Sequence, residues 1–205
     1  MSPTPSRRLD MRARVFSALV LSSSLLVTID AQSPQAQADA AHGKLLRLIE
    51  AGQAAAPAPR QTVFTQTEMN AYLQYRAQTW LPSGITSPRL DFLGANRVAT
   101  TVVADLDGVR RRSSGGWFDP TAYLRGKLPV HVIGTLVTER GRGRFALEQA
   151  TVDGVPVPRL FIQELLAFYT STPDQPAGVR LDEPFDLPAA IERIDVRTGQ
   201  ATVVQ

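Results

Sequence analysis

The chain of 205 residues contains no cysteine. Disulfides, thiol nucleophiles and thiolate metal sites are thereby excluded, and so is an acylated cysteine that would tether an exported protein to a membrane. Histidine is nearly as scarce, with only His42 and His131. A catalytic triad, a histidine-rich zinc site or a histidine acid–base pair would each need partners that the pattern does not supply. His42 falls in a segment read as solvated surface, and His131 stands inside a strand, where an edge or half-buried structural position is expected. There is no Gly-x-Ser-x-Gly elbow and no repeat at solenoid spacing. Gly141-Arg142-Gly143-Arg144 is too short for a phosphate loop and lacks the Lys-Ser or Lys-Thr that should follow, so it reads as a turn.

A long apolar run is missing as well. The best candidate, residues 15–29, is shorter than the roughly 20 residues a spanning helix needs; it is interrupted by Ser22, Ser23 and Ser24 and stops at Asp30. What surrounds it is informative. Arg7, Arg8, Arg12 and Arg14 precede it and small residues follow, which is the layout of an export signal. Cleavage is expected after Ala31, with Ala38 and Ala40 as later sites and a retained anchor as the alternative. Arg7-Arg8 lacks a Phe-Leu-Lys continuation, so ordinary secretion into the periplasm or extracellular space is expected. The chain then divides into a signal peptide at 1–31, a short helix and Ala/Pro-rich linker at 32–60, and a single domain at 61–205.

Removing residues 1–31 takes four of 22 basic and two of 19 acidic side chains, leaving 18 against 17. A mature domain so nearly neutral has no general attraction to nucleic acid. Its length fits one domain.

Leu45, Leu46, Leu48 and Ile49 have near-helical spacing within residues 37–53, and the Ala/Pro stretch at 54–59 ends that helix. Residues 61–64 form a short β-prone run. Thr65-Gln66-Thr67-Glu68 then has capping-box spacing, with Met69, Tyr72 and Leu73 forming an apolar stripe extended by Trp80. Strand character follows at 90–93, 97–106, 128–139 and 144–157, separated by Gly-rich turns. Val98, Thr100, Val102 and Ala104 share one strand face and Ala99, Thr101 and Val103 the other; neither is strongly polar, which predicts partial burial on both sides. Trp117, Phe118 and Tyr123 are expected to cover an edge or end of the sheet. Residues 158–170 form the clearest helix, with Leu160, Phe161, Leu165, Leu166, Phe168 and Tyr169 on a wide apolar arc. Residues 191–196 and 201–204 close the chain as a hairpin.

Asp105, Asp107, Asp119, Asp182, Glu183 and Asp186 lie near turns, where aspartates serve local hydrogen bonding. Paired carboxylates for hydrolysis are the last-ranked reading. Arg110-Arg111-Arg112 is read as a solvated run at most forming the rim of a site.

At Phe64-Thr65-Gln66-Thr67-Glu68-Met69-Asn70-Ala71-Tyr72-Leu73 the chain resembles the opening motif of the YceB-like bacterial envelope proteins. The order of later segments agrees: paired strands, Val155-Pro156-Val157-Pro158 leading into a helix, and a closing Ile194-to-Val203 segment. Those proteins are similar to the tubular lipid-binding (TULIP-like) superfamily. The resemblance implies an α+β fold in which a curved antiparallel β-sheet wraps one long helix with a second helix alongside. It also implies that Met69, Tyr72, Leu73, Phe161, Leu165 and Phe168 divide between core and ligand groove. The lipobox cysteine of that family is absent here, so its tether is not carried over. The expectation is a non-enzymatic exported protein with no cofactor and no metal. Its partners are an apolar small molecule or lipid, with transient membrane contact and no nucleic acid. A protein-interaction module of the envelope is the alternative.

Overall fold

The first helix, α1 (Pro34–Gly52), starts where Ser33 caps it: the Ser33 hydroxyl accepts from the Ala36 amide at 3.2 Å, and Pro34 takes a first-turn position that needs no donor. These assignments come from a computed structural model that describes residues 33–54, 59–107, 125–181 and 183–205. The segment read as an export signal lies outside the described residues, as do Arg110 to Arg112, Trp117, Phe118 and Tyr123.

The strand β1 (Gln61–Thr65) runs directly into α2 (Gln66–Tyr75). The predicted capping box is present: Thr65 Oγ1 accepts from the Glu68 amide at 3.1 Å, and the Glu68 carboxylate accepts from the Thr65 amide at 3.0 Å. The helix ends earlier than its apolar spacing suggests. Arg76 leaves helical geometry, a short 3-10 turn follows at Gln78–Trp80, and Trp80 is 82% exposed rather than part of the stripe.

A sheet of order β2-β3-β4-β5-β6 follows, antiparallel throughout, from β2 (Ile85–Gly94), β3 (Arg97–Asp105), β4 (Lys127–Glu139), β5 (Arg142–Val152) and β6 (Val155–Pro156). The helix α3 (Arg159–Thr170) comes next, and β7 (Phe185–Asp186) pairs with the far end of β5. Finally β8 (Arg193–Arg197) and β9 (Gln200–Val204) form the expected hairpin, which joins β1 in a second sheet of order β1-β9-β8. The single strand expected over 144–157 is two strands. Asp153 and Gly154, both at positive φ, make a two-residue turn between them, because that geometry matches the twist of paired strands.

A bulge in β5, where Glu148 is inserted opposite the step from Ile133 to Gly134, keeps the inner face of the large sheet continuous. Beyond it, Leu147 and Phe145 join Ala150 and Val152 in the same apolar cluster although their numbers have changed parity. Gly134 makes room for Phe145: a Cβ there would stand 2.3 Å from the ring. The opposite face is also partly covered, with Ala99 3% exposed and Val103 and Ile133 half-buried, as the two-sided strand pattern predicts.

The apolar residues gather around two centres. Phe161, Ile162 and Leu165 of α3 pack on Ala104, Val130, Ala150 and Val152 of the large sheet. Leu48 of α1 packs on Phe64, Ile191 and Val203, and an adjoining cluster of Phe92, Val196 and Ala201 shares Met69 and Ile194 with it. The architecture is thus α+β with an open antiparallel sheet and, among the described residues, three helices of 19, 10 and 12 residues rather than one long one. The folded unit also begins before Arg60. Ala38 and Ala41 of α1 are fully buried, and the helix belongs to the same compact unit as residues 61–205. Small side chains at those positions let the helix approach closely, which a search for large apolar residues overlooks.

Candidate functional site

Between α3 and the large sheet lies a cavity of about 230 Å³, open on one side, lined by Pro82, Ile85, Val102, Ala104, Val130, Ile162, Leu165, Leu166, Tyr169 and Thr170. The register explains the floor: Val102 stands opposite Val130, so two branched side chains of neighbouring strands project together under the helix. Ile162, Leu165, Leu166 and Tyr169 repeat at helical spacing and make the roof. Ile85 opens β2 and, with Pro82, forms one end.

Eight of these ten residues have hydrocarbon side chains, and the other two have spent their polar atoms elsewhere. Thr170 Oγ1 donates to the Leu166 carbonyl at 2.6 Å and accepts from the Val179 amide at 2.7 Å, leaving its methyl group for the cavity. The Tyr169 hydroxyl donates to the Asp105 carbonyl. Burial raises the Tyr169 pKa and the Asp105 carboxylate raises it further, against a smaller opposing effect of that hydrogen bond, so the phenol stays a neutral donor. The wall therefore offers a ligand apolar contact and almost no hydrogen bonding. A polar molecule entering it would lose its water without compensation.

The six residues singled out in the sequence are not brought to one place. Phe161 and Leu165 are buried under α3, Phe168 is half-buried with its ring edge-on to Tyr169 at 5.0 Å, and Leu165 alone of the six lines the cavity. Met69 packs between the two clusters around Phe64 and Phe92. Tyr72 stacks on His42 with ring centroids 6.1 Å apart, so His42 is half-buried against α2 and not the solvated residue expected. Leu73 is half-buried on the same helix. Ile85, Val102, Ala104, Val130 and Ile162 were missed as lining residues. Alternation marks such positions as inward-facing, but only the packing of α3 shows which of them the helix leaves partly uncovered.

His131 is half-buried in β4 with Nδ1 2.9 Å from Thr101 Oγ1. The turn carboxylates are engaged locally: Asp105 accepts from the Asp107 amide, Asp107 from the Gly126 amide, Glu183 pairs with Arg180 and Asp186 with Arg142. Asp119 and Asp182 lie outside the described residues. Among the described residues no three His, Asp or Glu side chains converge as a metal site would require, and no helix is long and apolar enough to cross a membrane.

No family model matches the chain. Nor does any curated protein, so the resemblance to the YceB-like proteins rests on the residues quoted for it. Among solved structures, a crystal structure of lipopolysaccharide binding protein aligns with 14% identity and a TM-score of 0.21, over 71% of this chain and 40% of that one. An overlap that low carries no argument about fold or ligand, and the chain spans well under half the length of that protein.

Proposed function

We propose that this is an exported, non-enzymatic protein that holds an apolar molecule, such as one chain of a lipid, between α3 and the large sheet. The observation that carries the reading is the cavity of about 230 Å³ whose only two polar side chains are both turned away to backbone partners. Apolar walls with no free hydrogen-bonding group hold water poorly and favour hydrocarbon. At roughly 30 Å³ per group of water or methylene size, the space takes about eight such groups. Each buried methylene contributes about 0.8 kcal/mol, or ~6 kcal/mol for the chain before the cost of immobilising it. That gross figure corresponds to about 40 μM at best, and the immobilisation cost moves it toward the millimolar range. A longer chain would leave through the open side.

The alternative of an interaction module without a small-molecule ligand is best served by a solid core, and the cavity favours the carrier reading over it. Carboxylate hydrolysis has less support, since Asp105, Asp107, Glu183 and Asp186 are held in turn bonds and ion pairs.

The test is a methyl-detected NMR titration of the mature chain with octanol and octanoate. Saturable shifts at Ile85, Val102, Val130, Leu165 and Leu166 are expected, and they should vanish in Leu166→Trp, which fills the cavity. Unmoved methyl resonances up to the solubility limit of both probes would sink the proposal.

A further inference from the structure

A second site, polar and separate from the apolar cavity, emerges from how α2 holds the free edge of β2. Gln66, Asn70, Gln74 and Gln78 recur every four residues along α2 and the turn that follows it. The first two act as a substitute strand. Asn70 donates from Nδ2 to the Leu90 carbonyl at 2.7 Å and accepts from the Leu90 amide at 2.8 Å. Gln66 accepts from the Phe92 amide at 2.8 Å and donates to the Asp91 carboxylate at 2.9 Å. Four residues of helix therefore match two residues of strand. The two repeats are commensurate, about 6.0 Å for four helical residues and about 6.8 Å for two extended ones.

Continued by the same step, the ladder would place Gln74 opposite Pro88 and Gln78 opposite Thr86. It cannot continue there. Pro88 has no amide proton, Ser87 has φ +52°, and the β2–β3 register breaks between Thr86 and Arg89, so the edge of β2 swings out of reach. The result is a cleft of about 670 Å³ lined by the four carboxamides together with Thr67, Thr86, Ser87, Pro88 and Arg89. Among the described residues the Gln74 carboxamide makes no hydrogen bond, and that of Gln78 only donates to the Gln74 carbonyl. The lining carries one charge, Arg89, which stands 3.5 Å from Asp91.

We infer that this cleft binds an extended, uncharged peptide segment of about four residues through its backbone, with Gln74 and Gln78 supplying the two rungs that β2 leaves unfilled. A carboxamide offers a donor and an acceptor side by side, which matches the N–H and C=O that one residue of an extended strand points in the same direction, and Asn70 already pairs with Leu90 in that way along the same stripe. Recognition would be of the kind in which a strand is added to a sheet edge, with a helix face in place of the receiving strand. The hydroxyl-bearing far wall of Thr86 and Ser87 is suited to small polar side chains, and the lining holds no carboxylate for a metal ion.

The test uses the mature chain, ¹⁵N-labelled, with three capped hexapeptides of alternating Thr/Val, Ser/Leu and Asn/Ile, and with chitohexaose as a neutral glycan. At least one peptide should shift the Gln74 and Gln78 side-chain amide signals and the backbone signals of residues 86–89. Gln74→Leu with Gln78→Leu, both at the surface, should weaken that peptide at least tenfold while leaving the rest of the spectrum in place. The inference is overturned if no peptide moves these signals, if chitohexaose alone does, or if peptide shifts persist unchanged in the double variant. Octanol binding under α3 is read from different resonances, so the two proposals fail independently.

Discussion

Glu68 joins two helices through one carboxylate. Both of its oxygens lie 2.7 Å from Lys44 Nζ on α1, and the same ammonium donates to the Val63 carbonyl at 2.8 Å. Burial pushes the Glu68 carboxyl up, but hydrogen bonds from Lys44 and from the Thr65 amide and hydroxyl, with the Lys44 charge, outweigh it and hold the group below its ordinary value near 4.5. A carboxyl depressed on folding adds stability above its unfolded pKa, and that stability is lost as pH falls through the folded one. Denaturant titrations should therefore show the protein weakening as pH drops below about 4.5, and Glu68→Gln should flatten that part of the profile. Identical profiles for the two proteins would refute the assignment. Gly134 tests packing at the same scale. Its Cβ would meet the Phe145 ring at 2.3 Å and the Ala146 carbonyl at 2.6 Å, so Gly134→Ala should cost about 1–3 kcal/mol in equilibrium unfolding. Adding Phe145→Leu should recover part of the loss.

At the level of the element, α2 covers the part of the β2 edge that the β8–β9 turn, which bonds the Phe92 carbonyl through the Gly199 amide, does not reach. An unpaired edge invites association with other chains, and two carboxamides cover the segment from Leu90 to Phe92. Asn70→Ala leaves one amide and one carbonyl of a part-buried strand without partners, at a cost of about 1–3 kcal/mol. Hydrogen exchange provides a sharper measure than stability. The Leu90 amide should exchange much faster in Asn70→Ala, whereas Gln74→Ala should leave it at the native rate. If both substitutions accelerate it alike, the rungs at Gln74 and Gln78 hold β2 after all and the cleft is part of the fold's own bonding.

Across the whole molecule, two apolar centres share one folded unit without sharing buried residues. Leu48 belongs to the centre formed by α1 and the small sheet, Leu165 to the one formed by α3 and the large sheet. Each truncation to alanine should cost about 2–5 kcal/mol. Their effects in the double variant should add to within about 0.5 kcal/mol, measured by urea unfolding at one temperature. A coupling several times larger would show that the centres are one.

Local chemistry is legible wherever neighbours in the chain do the work. The capping box at Thr65 and Glu68, the turn at Ala95 and Asn96, the strands through Val102 and Val130 and the helix through Phe161 and Leu165 all follow from spacing, because their partners lie within a few residues or on a fixed alternation. The end of α2 at Tyr75, the burial of Ala38 and Ala41, and the His42–Tyr72 stack depend on contacts between distant segments that no local pattern encodes. Both proposed sites belong to that second kind. The sequence by itself supplied an apolar arc on α3 and a row of amides on α2. Only tertiary structure decided that the arc stops short of filling the space above Val102 and Val130, and that β2 leaves the row at Pro88, since a void is a property of how surfaces meet and not of either surface alone.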